Sequence, residues 1–97
     1  MFALVYAKEK GFMEYVIISF RSRSDSVRFS NFLKANGVYS EIVNTPKQAG
    51  VGCGLSVKVS NSVLPFIKRA VSVFGESTFI GVFSVSIRAG KKIIRSI

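Results

Sequence analysis

Hydrophobic and polar positions alternate along this chain in segments that are typical of β-strands. The nearly continuous apolar run Tyr15–Phe20 predicts a buried central strand, and alternating residues predict two more strands at Val38–Val43 and Leu55–Val59. A fourth strand is predicted at Thr78–Ser86, in which Gly81 indicates a bulge or a close backbone contact.

A first helix is predicted between the first two strands. Phe29, Phe32 and Leu33 follow the i, i+3, i+4 spacing that places apolar side chains on one face of a helix. Ser24 or Asp25 can accept hydrogen bonds from the first free N–H groups and is expected to be the N-cap. Gly37 is expected to end the helix, because glycine readily adopts the left-handed conformation.

A second helix is predicted from about Val63 to Phe74. Its apolar stripe follows helical spacing and consists of Val63, Ile67, Ala70, Val71 and Phe74. Ser60–Ser62 supplies three candidate caps, and Pro65 fits only in the first helical turn, where its missing N–H costs nothing. Gly75 is expected to end this helix.

The predicted order is therefore β-α-β, a loop, and β-α-β again. With right-handed crossovers, this order predicts an α+β fold of the ferredoxin-like split βαβ type. We expect a four-stranded antiparallel sheet with both helices on one face. Residues 14–88 form the predicted domain, preceded by an N-terminal extension (1–13) and followed by a basic C-terminal tail (89–97), which is compatible with either a short strand or a mobile segment.

Composition supports a single packed domain. The 97 residues are 48% hydrophobic and 20% charged, which is too apolar for a disordered chain. The longest apolar run, Met1–Ala7, is far shorter than the ~20 residues of a membrane helix, and no basic residues precede it as in a signal peptide. One cysteine cannot form an internal disulfide, so we expect a cytoplasmic protein.

Several classes of chemistry are excluded or disfavoured by the residues present. The chain has no histidine, which excludes Ser/His and Cys/His nucleophile–base pairs and histidine metal sites. The five acidic residues lie far apart in sequence, so paired-carboxylate hydrolysis is disfavoured. We therefore expect no metal and no cofactor.

The segment from Thr45 to Gly54 contains the candidate chemistry. Its Cys53 is a nucleophile only as the thiolate, which nearby N–H groups or cations would stabilise. Glycines at positions 50, 52 and 54 let the backbone turn its N–H groups toward an anion, and Lys47 is a candidate cation. The alternative is that Cys53 is a small buried residue at the start of the third strand. The glycine spacing matches neither a P-loop nor a dinucleotide-binding motif.

The chain resembles small bacterial proteins of the selenium/sulfur (Se/S) carrier protein-like family. The resemblance runs from about Glu14 to Ser86 and includes YVIISFRSRSDSVRFSNFLKANGV followed by TPK and CGLSVKV. Its distinguishing pattern is a proline and a basic residue, a spacer, and then Cys-Gly leading into a strand. Here these residues are Pro46, Lys47, Cys53 and Gly54, although the basic position is more often arginine in the family.

The resemblance implies a carrier rather than an enzyme. Cys53 would hold sulfur or selenium as a persulfide or selenosulfide, with Pro46, Lys47, Gly50, Gly52 and Gly54 forming its surroundings. A donor protein similar to a cysteine desulfurase would load the thiol, and an acceptor protein would unload it. A membrane partner is not expected.

Two other functions stay open. The formal net charge of +9 and the aromatic residues on the predicted strands (Tyr15, Phe20, Tyr39, Phe79 and Phe83) suit a nucleic-acid-binding module. However, no segment matches the RNA-recognition aromatic pattern. A regulatory subunit that pairs its sheet with a second copy is compatible with the apolar content, and no motif requires it.

Overall fold

The computed structural model describes residues 12–47, 54–75 and 77–97. Within these residues, five strands and two helices follow one another. They are β1 (Phe12–Phe20), α1 (Arg23–Ala35), β2 (Glu41–Asn44), β3 (Leu55–Ser60), α2 (Leu64–Phe74), β4 (Phe79–Arg88) and β5 (Lys91–Ser96), with a 3-10 turn (Asn61–Val63) directly before α2.

The strands form one antiparallel sheet in the order β2-β3-β1-β4-β5. The predicted α+β class is confirmed, but the sheet has five strands rather than four. Residues 91–96, which the sequence assigned to a basic tail, pair with β4 through a two-residue turn. Both turn residues, Ala89 (φ 50°) and Gly90 (φ 82°), have positive φ, as a tight hairpin turn requires. Alanine is not a usual residue for the first of these positions, so the turn was not recognised.

Both helices pack against one face of the sheet, as expected. The core between them consists of Val16, Ile18, Phe20, Phe29, Leu33, Val57, Val59, Ile67, Ala70 and Val82. Phe20, Phe29 and Phe74 form an aromatic cluster in contact with this core, with ring centroids 5.1–5.9 Å apart. Burial of such side chains is worth roughly 1.5–3 kcal/mol each, so these residues contribute strongly to the stability of the fold.

Glycine and proline have the predicted effects. Gly37 and Gly75 follow the two helices with φ of 77° and 66°, and Pro65 lies in the first turn of α2. The ladder between β1 and β4 is irregular where Ser19 faces Gly81 and Phe20 faces Phe79, which confirms a bulge next to Gly81.

The element starts differ from the predictions. Ser22, not Ser24 or Asp25, caps α1, because its side chain accepts from the Asp25 N–H. Ser60 accepts from the Ser62 N–H and caps the 3-10 turn, whereas Val63 caps α2 without a side-chain hydrogen bond. β2 is shorter than predicted because the residues before Glu41 connect it to α1, with Ser40 buried against Ser30 (Oγ–Oγ 2.7 Å).

Among the described residues, neither helix combines the length and the apolar character that crossing a membrane requires.

Candidate functional site

Four chain segments meet at one end of the sheet. Ser19, near the end of β1, lies opposite Ser56 at the start of β3, and Leu55 lies opposite Asn44 at the end of β2. Phe20 lies opposite Phe79 at the start of β4. The residues that follow β1 and β2, and those that precede β3 and β4, therefore share this end, which we call the loop end of the sheet.

The described ends of the loop between β2 and β3 are joined by a hydrogen bond. The Thr45 N–H donates to the carbonyl oxygen of Gly54 (2.8 Å). The Thr45 Oγ1 lies 2.6 Å from the Ser56 Oγ, which lies 2.9 Å from the Ser19 Oγ. Ser19 and Ser56 are fully buried, so this row of three hydroxyls anchors the first residue of the loop to the centre of the sheet. We call the Thr45–Gly54 pair and this row of hydroxyls the loop neck.

Gly54 has a conformation that suits glycine. Its φ is 95°, outside the range that L side chains readily adopt, although a β-carbon at this position would meet no atom within 4 Å. The constraint at Gly54 is therefore the backbone conformation and not the available space. This conformation lets the chain turn from the loop into β3 directly after Cys53.

The first turn of α1 lies against the start of β3. The Ser26 hydroxyl donates to the carbonyl of Leu55 (3.1 Å), and Ser22 caps the helix. A helix N-terminus carries about half a positive charge on its free N–H groups. The loop neck is thus next to an element that favours anions.

Asp25 connects α1 to the start of β4. Its carboxylate accepts from the Thr78 hydroxyl and from the Arg28 guanidinium (3.0 Å), and it is largely buried. The Arg21 N–H donates to the carbonyl of Thr78 (2.8 Å) beside it. Asp25 is therefore a structural residue whose charge is compensated within the fold.

The predicted site residues fall partly within the described structure. Pro46 is half-buried, while Lys47 and Gly54 are exposed at the loop end. Cys53, Gly50 and Gly52 lie outside the described residues. Within 12–47, 54–75 and 77–97, no group of three or more acidic, cysteine or histidine residues could hold a metal ion.

The aromatic residues considered for nucleic-acid binding do not form one surface. Phe20 is buried in the core and Phe79 packs against it. Tyr15 lies under the Lys58 ammonium (Nζ to ring centroid 4.5 Å), and its burial raises its pKa. Tyr39, which precedes β2, donates to Glu41 (2.8 Å), and this hydrogen bond and the charge of Glu41 raise the pKa of Tyr39. Phe83 lies opposite Ile17 and shares with Tyr15 the sheet face away from the helices, so the five aromatic residues are divided between different parts of the sheet and do not form a single platform.

Sequence reasoning missed several residues of the loop end. Ser19, Thr45 and Ser56 were not singled out, because isolated hydroxyl residues carry no motif and the Ser19–Ser56 pair spans 37 positions. Arg21 and Arg23 were likewise not singled out and enter the sequence analysis only through the net charge. The signal in the sequence is limited to the predicted antiparallel sheet, in which the residues after one strand lie beside the start of a neighbouring strand.

A comparison with known protein families found a match to this chain. The family model described as "Putative Se/S carrier protein-like" matches residues 15–75, well over half of the 97-residue chain. This span contains most of β1 and all of α1, β2, β3 and α2, together with the segment that holds Cys53. Searches of curated proteins and of solved structures found no match. The match over residues 15–75 shows that the chain belongs to the Se/S carrier protein-like family.

Proposed function

We propose that this protein carries sulfur or selenium as a persulfide or selenosulfide on Cys53. The observation that supports this proposal most directly is the loop neck. Cys53 directly precedes Gly54, whose carbonyl accepts from Thr45, and the next residue, Leu55, accepts from Ser26 at the start of α1. Family membership supports the same function.

The surroundings of the loop neck favour a thiolate. Cys53 precedes Leu55 by two residues in the sequence. The Leu55 carbonyl accepts from Ser26 in the N-terminal turn of α1. A helix N-terminus and nearby cations lower the pKa of a thiol and increase the fraction that is nucleophilic at neutral pH. Lys47, Arg21 and Arg23 are exposed cations of the loop end.

The transfer step requires no added oxidant. The Cys53 thiolate attacks the terminal sulfur of a donor persulfide (R–S–SH), a new S–S bond forms on Cys53, and the donor S–S bond breaks. The donor leaves as its thiolate, and Cys53 keeps the transferred sulfur and its proton as Cys53–S–SH. An acceptor thiolate unloads the carrier by the same reaction. The selenium version replaces the terminal sulfur of the donor with selenium.

This chemistry gives the protein the role of a shuttle rather than a catalyst. The sequence contains no histidine that could act as a general base, so both transfers depend on the reactive groups of partner proteins. We propose a donor similar to a cysteine desulfurase, an acceptor protein and a cytoplasmic location. We also infer that β1 to β4 form a ferredoxin-like unit to which β5 is added at one edge, a topology supported by the order β2-β3-β1-β4.

Intact-mass spectrometry tests the carrier function. After incubation with a cysteine desulfurase and cysteine, we expect the protein to gain the mass of one sulfur atom, and the gain to be lost in Cys53→Ser. With selenocysteine as the substrate, the gain is the mass of one selenium atom. A reductant removes either adduct, because both are bound through Cys53–S.

Alkylation of the unloaded protein provides the second measurement. We expect iodoacetamide to react with folded Cys53 below about pH 7.5, where an ordinary thiol of pKa ~8.5 is mostly protonated. Lys47→Ala slows this reaction if the ammonium stabilises the thiolate. If Cys53 reacts only after denaturation, it is a core residue and the carrier proposal is wrong.

A further inference from the structure

Three exposed cations lie together at the loop end of the sheet. This surface, the basic rim, consists of Arg21, Arg23 and Lys47. Arg21 follows β1, Arg23 begins α1 and Lys47 lies three residues beyond β2. β1 and β2 are separated only by β3, so the rim spans about 10 Å across the sheet. No described carboxylate pairs with any of the three side chains.

The acidic residues of the described chain do not neutralise the basic rim. Asp25 is largely buried and already binds Arg28 and Thr78. Glu41 lies opposite Lys58 in the ladder and accepts from Tyr39, and Glu14 is near the far end of β1, within 3.4 Å of the Asn61 and Ser86 side chains. Among the described residues, the rim therefore presents positive charge at the loop end that no carboxylate compensates.

We propose that the basic rim is the docking surface for the partner proteins of Cys53, and that those proteins present an acidic surface around their own reactive sulfur. This inference rests on the carrier function proposed above. Transfer of a sulfur atom requires two sulfur atoms to come into contact, so a partner must approach the loop end of the sheet. Complementary charge accelerates such an approach by 10-fold to 10³-fold and fixes its orientation.

An acidic protein fits the rim better than a nucleic acid does. Single-stranded nucleic acid is held by aromatic side chains on which bases stack, in addition to cations. Among the described residues, the exposed large apolar side chains are Val27, Tyr39, Ile42, Val73, Ile93 and Ile97. Of these six side chains, only Tyr39 is aromatic, and it precedes β2 rather than lying at the loop end. The rim thus supplies charge without a stacking platform.

The opposite end of the sheet provides a matched control. Lys91 and Lys92 are also exposed, and they begin β5 next to the turn that faces the start of β1. The length of β1 separates the two ends by roughly 27 Å, several times the Debye length of about 8 Å at physiological salt. Two double variants change the net charge equally but at opposite ends of the sheet. They are Arg21→Glu/Arg23→Glu and Lys91→Glu/Lys92→Glu.

The experiment measures the second-order rate of sulfur transfer to Cys53 from a purified cysteine desulfurase with an acidic isoelectric point. At about 50 mM salt, we expect R21E/R23E to lower this rate at least about tenfold and K91E/K92E to change it less than about threefold. The difference should nearly vanish at about 0.5 M salt. Each rate is divided by the rate of alkylation with iodoacetamide, an uncharged reagent, at the same pH, so that a change in the thiolate fraction is not counted as docking.

Each contrary result has a distinct meaning. Equal rates for R21E/R23E and the wild type, or equal losses in the two double variants, overturn the docking surface and leave the carrier function standing. Failure of wild-type Cys53 to gain a sulfur atom overturns both proposals. Inhibition of transfer by a 20-nucleotide oligouridylate at about 150 mM salt, lost in R21E/R23E, assigns the rim to nucleic acid instead.

Discussion

Ser56 shows how a single polar side chain shapes the loop end. It is fully buried, and its hydroxyl lies within hydrogen-bond distance of both Ser19 and Thr45. A buried hydroxyl without a partner costs about 1–3 kcal/mol, so a complete row of hydroxyls is required in this position. The row holds Thr45 in place to close the loop neck.

Ser56→Ala is therefore expected to lower the free energy of unfolding by about 1–3 kcal/mol, because Ser19 and Thr45 each lose a partner. Urea denaturation measures the change. Ser84→Ala is the matched control, since Ser84 is also on a strand and its hydroxyl has no described partner; it should change stability by less than about 0.5 kcal/mol. An equal effect of the two substitutions would show that the hydroxyl row does not stabilise the sheet.

At the scale of elements, α2 was predicted almost completely. Its stripe from Ile67 to Phe74, its proline and its terminal glycine are as expected, because each depends on residues close in sequence, whereas Val63 lies before the helix. The 3-10 turn before it was not predicted, since the choice between i+3 and i+4 hydrogen bonds depends on how Asn61–Val63 meets the end of β3.

Ile67→Asp tests the assigned face of α2. Ile67 is fully buried, and an unpaired carboxylate there is expected to cost more than about 4 kcal/mol, enough to unfold most of the protein. Val73→Asp, on the same helix at a position that is 75% exposed, should leave the protein folded. Circular dichroism and thermal unfolding distinguish the two variants. A stable Ile67→Asp protein would contradict the packing of α2 against the sheet.

The whole molecule has a formal net charge of +9, and its basic residues occupy both ends of the sheet. Charge of this kind attracts any polyanion, so weak binding to RNA would not by itself indicate a function. The relevant measurement is how binding depends on salt and on base sequence.

We expect generic RNA to bind weakly and to lose its affinity steeply between about 50 and 200 mM salt. Fluorescence anisotropy with oligouridylate and a mixed-sequence RNA of equal length measures this. R21E/R23E and K91E/K92E should weaken such binding to the same extent, because both remove the same charge. Sequence-selective binding that persists at physiological salt would favour a nucleic-acid-binding module over a carrier.

The sequence alone determined the local elements, the α+β class and the candidate loop around Cys53. Helical stripes, alternating strands and terminal glycines act over a few residues, so their pattern is visible without the fold. Family resemblance added Pro46 to the candidate site and pointed again to Lys47 and Gly54, which the loop residues themselves had indicated.

Only the tertiary structure decided which distant residues meet. Strand register brings together the hydroxyl row of Ser19, Thr45 and Ser56. The contact between Ser26 and Leu55 and the basic rim depend on the same register. Register is selected by the packing of both sheet faces and by turn geometry, which no short segment specifies. The fifth strand was decided in the same way, because a polar segment such as Lys91–Ser96 becomes a strand when an antiparallel edge and a tight turn are available to it.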